Sequence, residues 1–212
     1  MNDITLRPIQ KKDFSRIQQM IKQAWKYEEM SNSETANRMA KAFLSSCLCN
    51  QTFTAVALNS QDQAIGVIMG NDRKHHRCPL KYLIQQLHSI LSLFLYKEGR
   101  RIAKMFKDIG AIDNELLKES KIEYDGEIAF FVMDEAYRGK GIGKQLFLAL
   151  QEYMKNANVE KYFLYTDTSC NYPFYEHQGF IRRGENKHVF HINGQKAMMS
   201  FFIYDNLPAI HK

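Results

Sequence analysis

The chain has 212 residues, 45% hydrophobic and 12% aromatic, enough to bury one substantial core, so a single domain over residues 1–212 carrying an insertion is expected. Its net charge of +6 and pI near 9.0 suit an anionic cofactor or a nucleic acid, but the basic residues are scattered among 23 acids without a basic tail. A solvated surface is therefore expected and nucleic-acid binding is not. Cys47, Cys49, Cys78 and Cys170 form neither a CxxC pair nor a disulfide-dense scaffold, and the N-terminal MNDITLRPIQKKDF has no apolar signal region, which together point to a reducing, cytoplasmic setting.

Residues 4–9 alternate apolar and polar side chains and predict a first strand, with Pro8 marking its end or a sheet edge. Asp13 then precedes Phe14, Ile17, Ile21, Ala24 and Trp25 at helical spacing, so it is the expected N-cap of an amphipathic helix ending near Glu29. Ser31 and Glu34 have capping-box spacing for a second helix that runs through Met39, Phe43, Cys47 and Leu48 to about Asn50. Residues 52–58 and 64–70 are β-rich runs joined by a connection of hairpin length. His75, His76 and Cys78 lack a fourth ligand at metal-site spacing, so a polar loop before Pro79 is expected there and no metal.

Pro79 can open a helix with one broad apolar face made by Leu80, Leu83, Ile84, Leu87, Ile90, Leu91, Phe94 and Leu95. Lys81, Gln85, Gln86 and His88 interrupt the run, so it is not a membrane span, and no membrane association is expected. A basic stretch over 98–107 and a short third piece ending at Ser120 complete about forty helical residues, whose Leu-rich face is expected to pack.

Residues 128–133 form a short apolar run bounded by charge, which reads as a strand covered on both faces. It gives way to Arg138-Gly139-Lys140-Gly141-Ile142-Gly143-Lys144. Glycines there let the backbone turn tightly and aim several N–H groups at one point, and the next helix adds its own unpaired donors. Such a nest binds anions, and the flanking cations suit a pyrophosphate. A Walker loop would need Ser or Thr after Gly143-Lys144, where Gln145 stands, and the spacing is not that of a dinucleotide-binding fingerprint. Leu146, Phe147, Leu150, Tyr153 and Met154 extend a helix to about Asn156, and residues 161–167 predict a strand, making a strand-loop-helix-strand parallel crossover. The segment Cys170-Asn171-Tyr172-Pro173-Phe174-Tyr175 follows, then Gly179-Phe180. Asn193-Gly194 is a hairpin signal between strands over 188–192 and 197–204.

Arg138-Gly139-Lys140-Gly141-Ile142-Gly143 after a strand resembles the acetyl-CoA pyrophosphate loop of the GNAT superfamily of N-acetyltransferases, and Phe174-Tyr175 with Gly179-Phe180 is similar to that family's second signature. The resemblance covers nearly the whole chain apart from the insertion. It implies an α/β (α+β) fold with a central mixed, mostly antiparallel twisted sheet of six to seven strands flanked by helices, with the helical insertion at about 79–120 between the third and fourth strands. It implies transfer of an acetyl group from acetyl-CoA to a primary amine, small molecule or peptide or protein amino group, by direct attack in a ternary complex. The alternative is a non-catalytic module of the same fold that holds CoA as a sensor or assembly subunit.

The same resemblance assigns Arg138, Gly139, Lys140, Gly141, Ile142, Gly143 and Lys144 to the diphosphate. Backbone N–H groups near Val132 and Met133 are assigned to the thioester carbonyl and pantetheine, and Phe174 to the cofactor side. Thr168 and Asn171 stand where many members have Asn and Ala, so the pantetheine contact falls to Asn171 or to backbone. Tyr175 matches the general acid for the leaving thiolate, with Tyr172 as the other candidate, and Glu127 is placed as the base, with Glu123 or Asp125 able to substitute. Cys170 invites an acyl-cysteine route, but no activating His or acid pattern accompanies it. Trp25, Tyr27, Glu28 and Glu29 are candidates for acceptor recognition. The insertion is expected either to lie over the acceptor site or to form a subunit contact, which leaves a homodimer open.

Overall fold

The computed structural model describes residues 4–192 and 195–208. Seven strands form one sheet in the order β1-β2-β3-β4-β5-β7-β6: β1 Thr5–Arg7, β2 Phe53–Leu58, β3 Ala64–Asp72, β4 Gly126–Met133, β5 Tyr162–Asp167, β6 Ile181–Ile192 and β7 Gln195–Asp205. Neighbours are antiparallel except β4 and β5. The mixed, mostly antiparallel sheet is as expected. Strand β1 sits at the edge with Pro8 just beyond it, where no ladder donor is needed. The Asn193-Gly194 turn lies outside the described residues, although pairing of β6 with β7 continues to Ile192 and Gln195.

One face is covered by α1 Phe14–Ala24, the short turn α2 Tyr27–Met30 and α3 Ser33–Cys49, through a core that includes Ile17, Ile21, Met39, Leu44, Val67 and Phe130. The opposite face is covered by α6 Ile142–Asn156 and α7 Pro173–His177, with Leu146, Phe147, Leu150 and Phe202 at the centre. Two start signals are displaced. A 3-10 turn at Lys11–Asp13 precedes α1, and Asp13 accepts from the Gln10 N–H at 2.7 Å and from Arg7 rather than capping α1. The cap of α3 is Asn32, accepting from Thr35 N–H at 2.9 Å, while the Ser31 hydroxyl donates back to the Tyr27 carbonyl. The first helix also stops early, because Lys26 adopts φ +50°.

The insertion consists of α4 Leu80–Phe94 and α5 Lys97–Ser120. The two pieces expected over 98–120 are one helix, since Ile102, Met105, Ile109, Ile112 and Leu116 keep a single stripe at helical spacing. That stripe joins two cores: Ile102 packs with the α1–α3 core, Ile112 and Leu116 with Phe163, Phe201 and Ile203 under β5, β7 and β6. Gly99 lies where α5 leaves the α4 corner, and a Cβ there would stand 2.0 Å from the Leu93 carbonyl oxygen. The expected packing of α4 is reversed. It rests on α3 through Ser89 and Leu93, with Ser45 and Ser89 hydroxyls 3.3 Å apart, because two small polar side chains let the helix backbones approach. Its leucine face points outward.

The cysteines also depart from expectation. Cys49, at the end of α3, is bonded to Cys78, just before α4, so the chain is not uniformly reduced. His75 Nδ1 bonds the Asp72 carboxylate at 2.6 Å. Closing 29 residues of separation constrains the unfolded chain, so Cys78→Ser is expected to lower stability by about 3 kcal/mol in urea titration without reductant. Equal midpoints would place the bond outside the folded state. Among the described residues no helix is long and apolar enough to cross a membrane.

Candidate active site

The parallel pairing of β4 and β5 is limited to Gly126 with Tyr162 and Glu127 with Phe163. Beyond it the strands part, so residues 128–133 pair with β3 alone and keep their other backbone edge free. The register against β3 slips by one between Met69 and Gly70, leaving Ala129 as a bulge. Between the parted strands lies a cavity of 470 Å³ lined by the second half of β4, the loop after it, Tyr165 and Thr166 of β5, and the segment from Ser169 to Tyr175. An extended ligand can add to such a free strand edge through its own amides.

At one end the cavity meets the glycine loop. Asp134 caps a 3-10 turn, accepting from Ala136 N–H at 3.0 Å, and is paired with Arg16. Gly139 and Gly141 then take φ +75° and +76°, and Gly141 caps α6. The first turn of α6 leaves its N–H donors free of helix carbonyls, at the positive end of the helix dipole. Gly143 does not have positive φ; instead, a Cβ there would meet the Phe131 ring at 3.5 Å. Arg138 pairs loosely with Glu135 at 3.3 Å and stays half exposed. A side chain at Gly141 would have to adopt left-handed geometry, costing a branched residue about 1–2 kcal/mol. Gly141→Val is therefore expected to weaken, tenfold or more by calorimetry, the CoA binding that the sequence resemblance implies, roughly the effect of that strain alone; unchanged affinity would remove the loop from the site.

Tyr175 also lines the cavity, buried against Phe174, Phe180 and Tyr204. Burial pushes its phenol well up, so it holds its proton across the physiological range. Cys170 lines the same wall; burial and the neighbouring Asp167 push its thiol up to about 12, which leaves no thiolate for an acyl-enzyme route. Thr168 is tied to β7 through Ser200 and Tyr172 packs on Phe202 under Arg182, whereas Asn171 faces the cavity.

Of the residues singled out in the sequence, Tyr175, Val132, Met133, Arg138, Gly139, Gly141, Gly143, Lys144, Asn171 and Phe174 line the one cavity. Lys140 turns away, donating to the Ala136 carbonyl at 3.0 Å over the Tyr137 ring, and the Ile142 side chain is buried in the core. Trp25 lines the cavity beside Phe43, but Tyr27 is core, and Glu28 and Glu29 lie on the surface with Lys22 and Lys26.

Glu127 does not line the cavity: it stands in the last parallel pair, opposite Phe163, just short of where β4 and β5 part. Its carboxylate accepts from Asn50 Nδ2 at 3.1 Å; Asn50 Oδ1 accepts from Asn71 Nδ2 at 2.7 Å; and Asn71, opposite Glu127 in the ladder, is buried with its Oδ1 lacking a partner. Burial raises the Glu127 pKa against the opposing effects of Asn50 and the more distant Arg73. Asp125 is engaged by Lys74 at 2.6 Å and Glu123 is exposed. Sequence reading missed Asp113 of α5. Burial, with Glu127 and Asp167 close enough to repel it, pushes its carboxyl up to about 7, and burial, then Asp113 and Glu127, raise the hydroxyl of Tyr165, which lines the cavity. Its signal was an acid on the apolar stripe, four residues after Ile109 and three before Leu116.

The profile of the acetyltransferase (GNAT) family matches residues 16–180. The chain belongs to the GNAT acetyltransferase family. Among solved structures, a protein from Pyrococcus horikoshii OT3 is similar at 16% identity and TM-score 0.59, covering 95% of this chain and 97% of that one. An N-acetyltransferase from Staphylococcus aureus Mu50 is similar at 15% identity and TM-score 0.53, covering 97% and 99%. The ribosomal-protein-S18-alanine N-acetyltransferase from Escherichia coli is similar at 9% identity and TM-score 0.52, covering 99% and 97%. Likeness at these identities is likeness of fold. No curated protein sequence matches this GNAT chain.

Proposed function

We propose that the chain acts as one domain that transfers an acetyl group from acetyl-CoA to a primary amine, and that the acceptor carries positive charge. The observation that carries this reading is the cavity between β4 and β5, lined both by the glycine loop that opens α6 and by Tyr175. When bound, acetyl-CoA supplies an activated thioester. The amides of residues 139–144, with Arg138 and Lys144, hold the diphosphate; the free edge of β4 at Val132 and Met133 holds the pantetheine amides and the thioester carbonyl. Phe174 and Asn171 fill the wall beside it.

An alkylamine with a pKa near 10 is neutral in only about one part in a thousand at pH 7. Glu127, its pKa raised by burial, accepts the proton of the arriving ammonium, directly or through water. The free amine would then attack the thioester carbonyl as the C–S bond breaks; Tyr175 would give its proton to the departing thiolate and regain one from the nitrogen, which sheds it on becoming an amide. The Cys170 thiol stays protonated, which favours direct transfer over an acyl-cysteine.

Asp113, Glu127 and Asp167 form no salt bridge among the described residues; the donors to Glu127 and Asp167, Asn50 and Ser169, are neutral, and the Asn71 Oδ1 has no donor. A site rich in acceptors selects a ligand rich in N–H donors. Thiol release from acetyl-CoA with cationic and neutral amines tests this: release with cationic amines is expected. CoA binding without release for any amine would favour the sensor module, and preference for neutral amines would overturn the acceptor assignment.

The Asp113 carboxyl ties substrate choice to stability. Its folded pKa of about 7 lies above the unfolded value, so the folded state binds the proton more tightly and the penalty grows as pH rises, becoming full above about 7. Asp113→Asn is therefore expected to be more stable than wild type at pH 8 by roughly 1–2 kcal/mol, discounted for water in the cleft, and to raise KM for cationic acceptors. Thermal melts at pH 5 and pH 8 check it; a variant less stable at pH 8 would make Asp113 a structural partner.

A further inference from the structure

Among the described residues the outward face of α4 has no partner. Leu80, Ile84, Leu87, Leu91, Phe94 and Leu95 are each between 48% and 73% exposed, and at 100° per residue they share, with Leu83 and Ile90, one arc of about 140°. Ser89 and Leu93 lie opposite, buried on α3. Leu80, Leu87 and Phe94 recur at sevens, Leu83 and Ile90 follow at the fourth position and Ile84 and Leu91 at the fifth, the pattern by which one bundle helix covers another.

The exposed portions amount to about 800 Å² of apolar surface, beyond the largest patch of an ordinary monomer and close to what one partner contributes to a stable complex. Composition separates the possible occupants. A helix lying on a membrane carries cations on its polar face, but the polar side of α4 is turned into the protein, where Gln85 donates to Ser45 at 3.1 Å and Gln86 to Ser46 at 3.0 Å. Lys81 is the one formally charged residue in α4. Depletion of charge at an apolar centre is the composition of a homodimer interface.

We propose that α4 is the subunit contact of a homodimer, the exposed arc of one copy packing on the same arc of a second across a two-fold axis. Each substitution on the arc then acts twice, and Leu87, at the middle of the helix, lies nearest the axis. This holds whether or not the chain transfers acetyl groups, since α4 contributes nothing to the cavity between β4 and β5.

Sedimentation velocity at micromolar concentrations tests it. Wild type is expected at twice 24.8 kDa, and Leu87→Glu with Leu91→Glu at the monomer mass, the dimer Kd raised on the order of 100-fold or more. Ile84→Glu with Leu95→Glu is a second pair, and unchanged CoA binding shows that each variant is folded. A wild type that stays monomeric at every concentration, or folded variants that stay dimeric, overturns the proposal. So does a monomer that co-sediments with vesicles of anionic phospholipid and loses this in the variants, because the face would then be a membrane contact.

Discussion

Tyr175→Phe is expected to lower kcat by about 10²–10⁴-fold, the range of a positioned proton donor, while leaving acetyl-CoA affinity within about twofold. The ring packs against Phe174, Phe180 and Tyr204, and Phe preserves those contacts, so the change isolates the hydroxyl. Its pKa, raised by burial, means that the phenol is present as the acid at every pH where the protein works. The alkaline limb of the wild-type rate should therefore not descend through the phenol until well above pH 10. Single-turnover thiol release against calorimetric binding separates the effects. A variant with full kcat would leave Tyr175 as a packing residue and pass the proton to solvent.

Glu127→Gln is expected to reduce kcat/KM for a cationic amine by about 10²-fold and to remove the acidic limb of its pH profile. The sign follows from burial. The carboxyl pKa is raised, so wild type loses the base as pH falls through that raised value, above the ordinary glutamate range, whereas Gln has no proton to lose. Gln retains the shape needed to accept from Asn50, so the Asn71–Asn50 chain stays intact. The remaining activity should rise steadily with pH as more amine is free. An acidic limb unchanged in the variant would assign the base to another group, with Asp113 the first to test, since it lies within electrostatic reach and titrates near 7.

Several elements were legible because their signals are local. The glycine loop, the hairpin of β2 and β3, the α6 stripe and the Phe174-Tyr175 turn each depend on residues a few positions apart, and the structure places each where the spacing predicts. Helix starts were less legible by one or two residues, as Asp13 and Asn32 illustrate: several polar side chains in a row can cap, and the choice falls to whichever N–H geometry the rest of the fold presents. The Cys49–Cys78 bond joins residues 29 apart in sequence, and nothing at either position announces the other.

The sequence by itself determined the family, the order of strands and helices outside the insertion, and the loop and tyrosine that line the cavity, because these rest on backbone conformation and short-range periodicity. Only the tertiary structure decided that the apolar face of α4 turns outward and that Asp113 comes within electrostatic reach of Glu127 and Asp167. Periodicity says that a helix has an apolar side; which side is covered depends on what α3 presents, and Ser45 accepts Ser89 more closely than it could accept a leucine. A carboxylate's role likewise depends on neighbours brought from β4 and β5 by folding, whose burial and charge set its proton affinity.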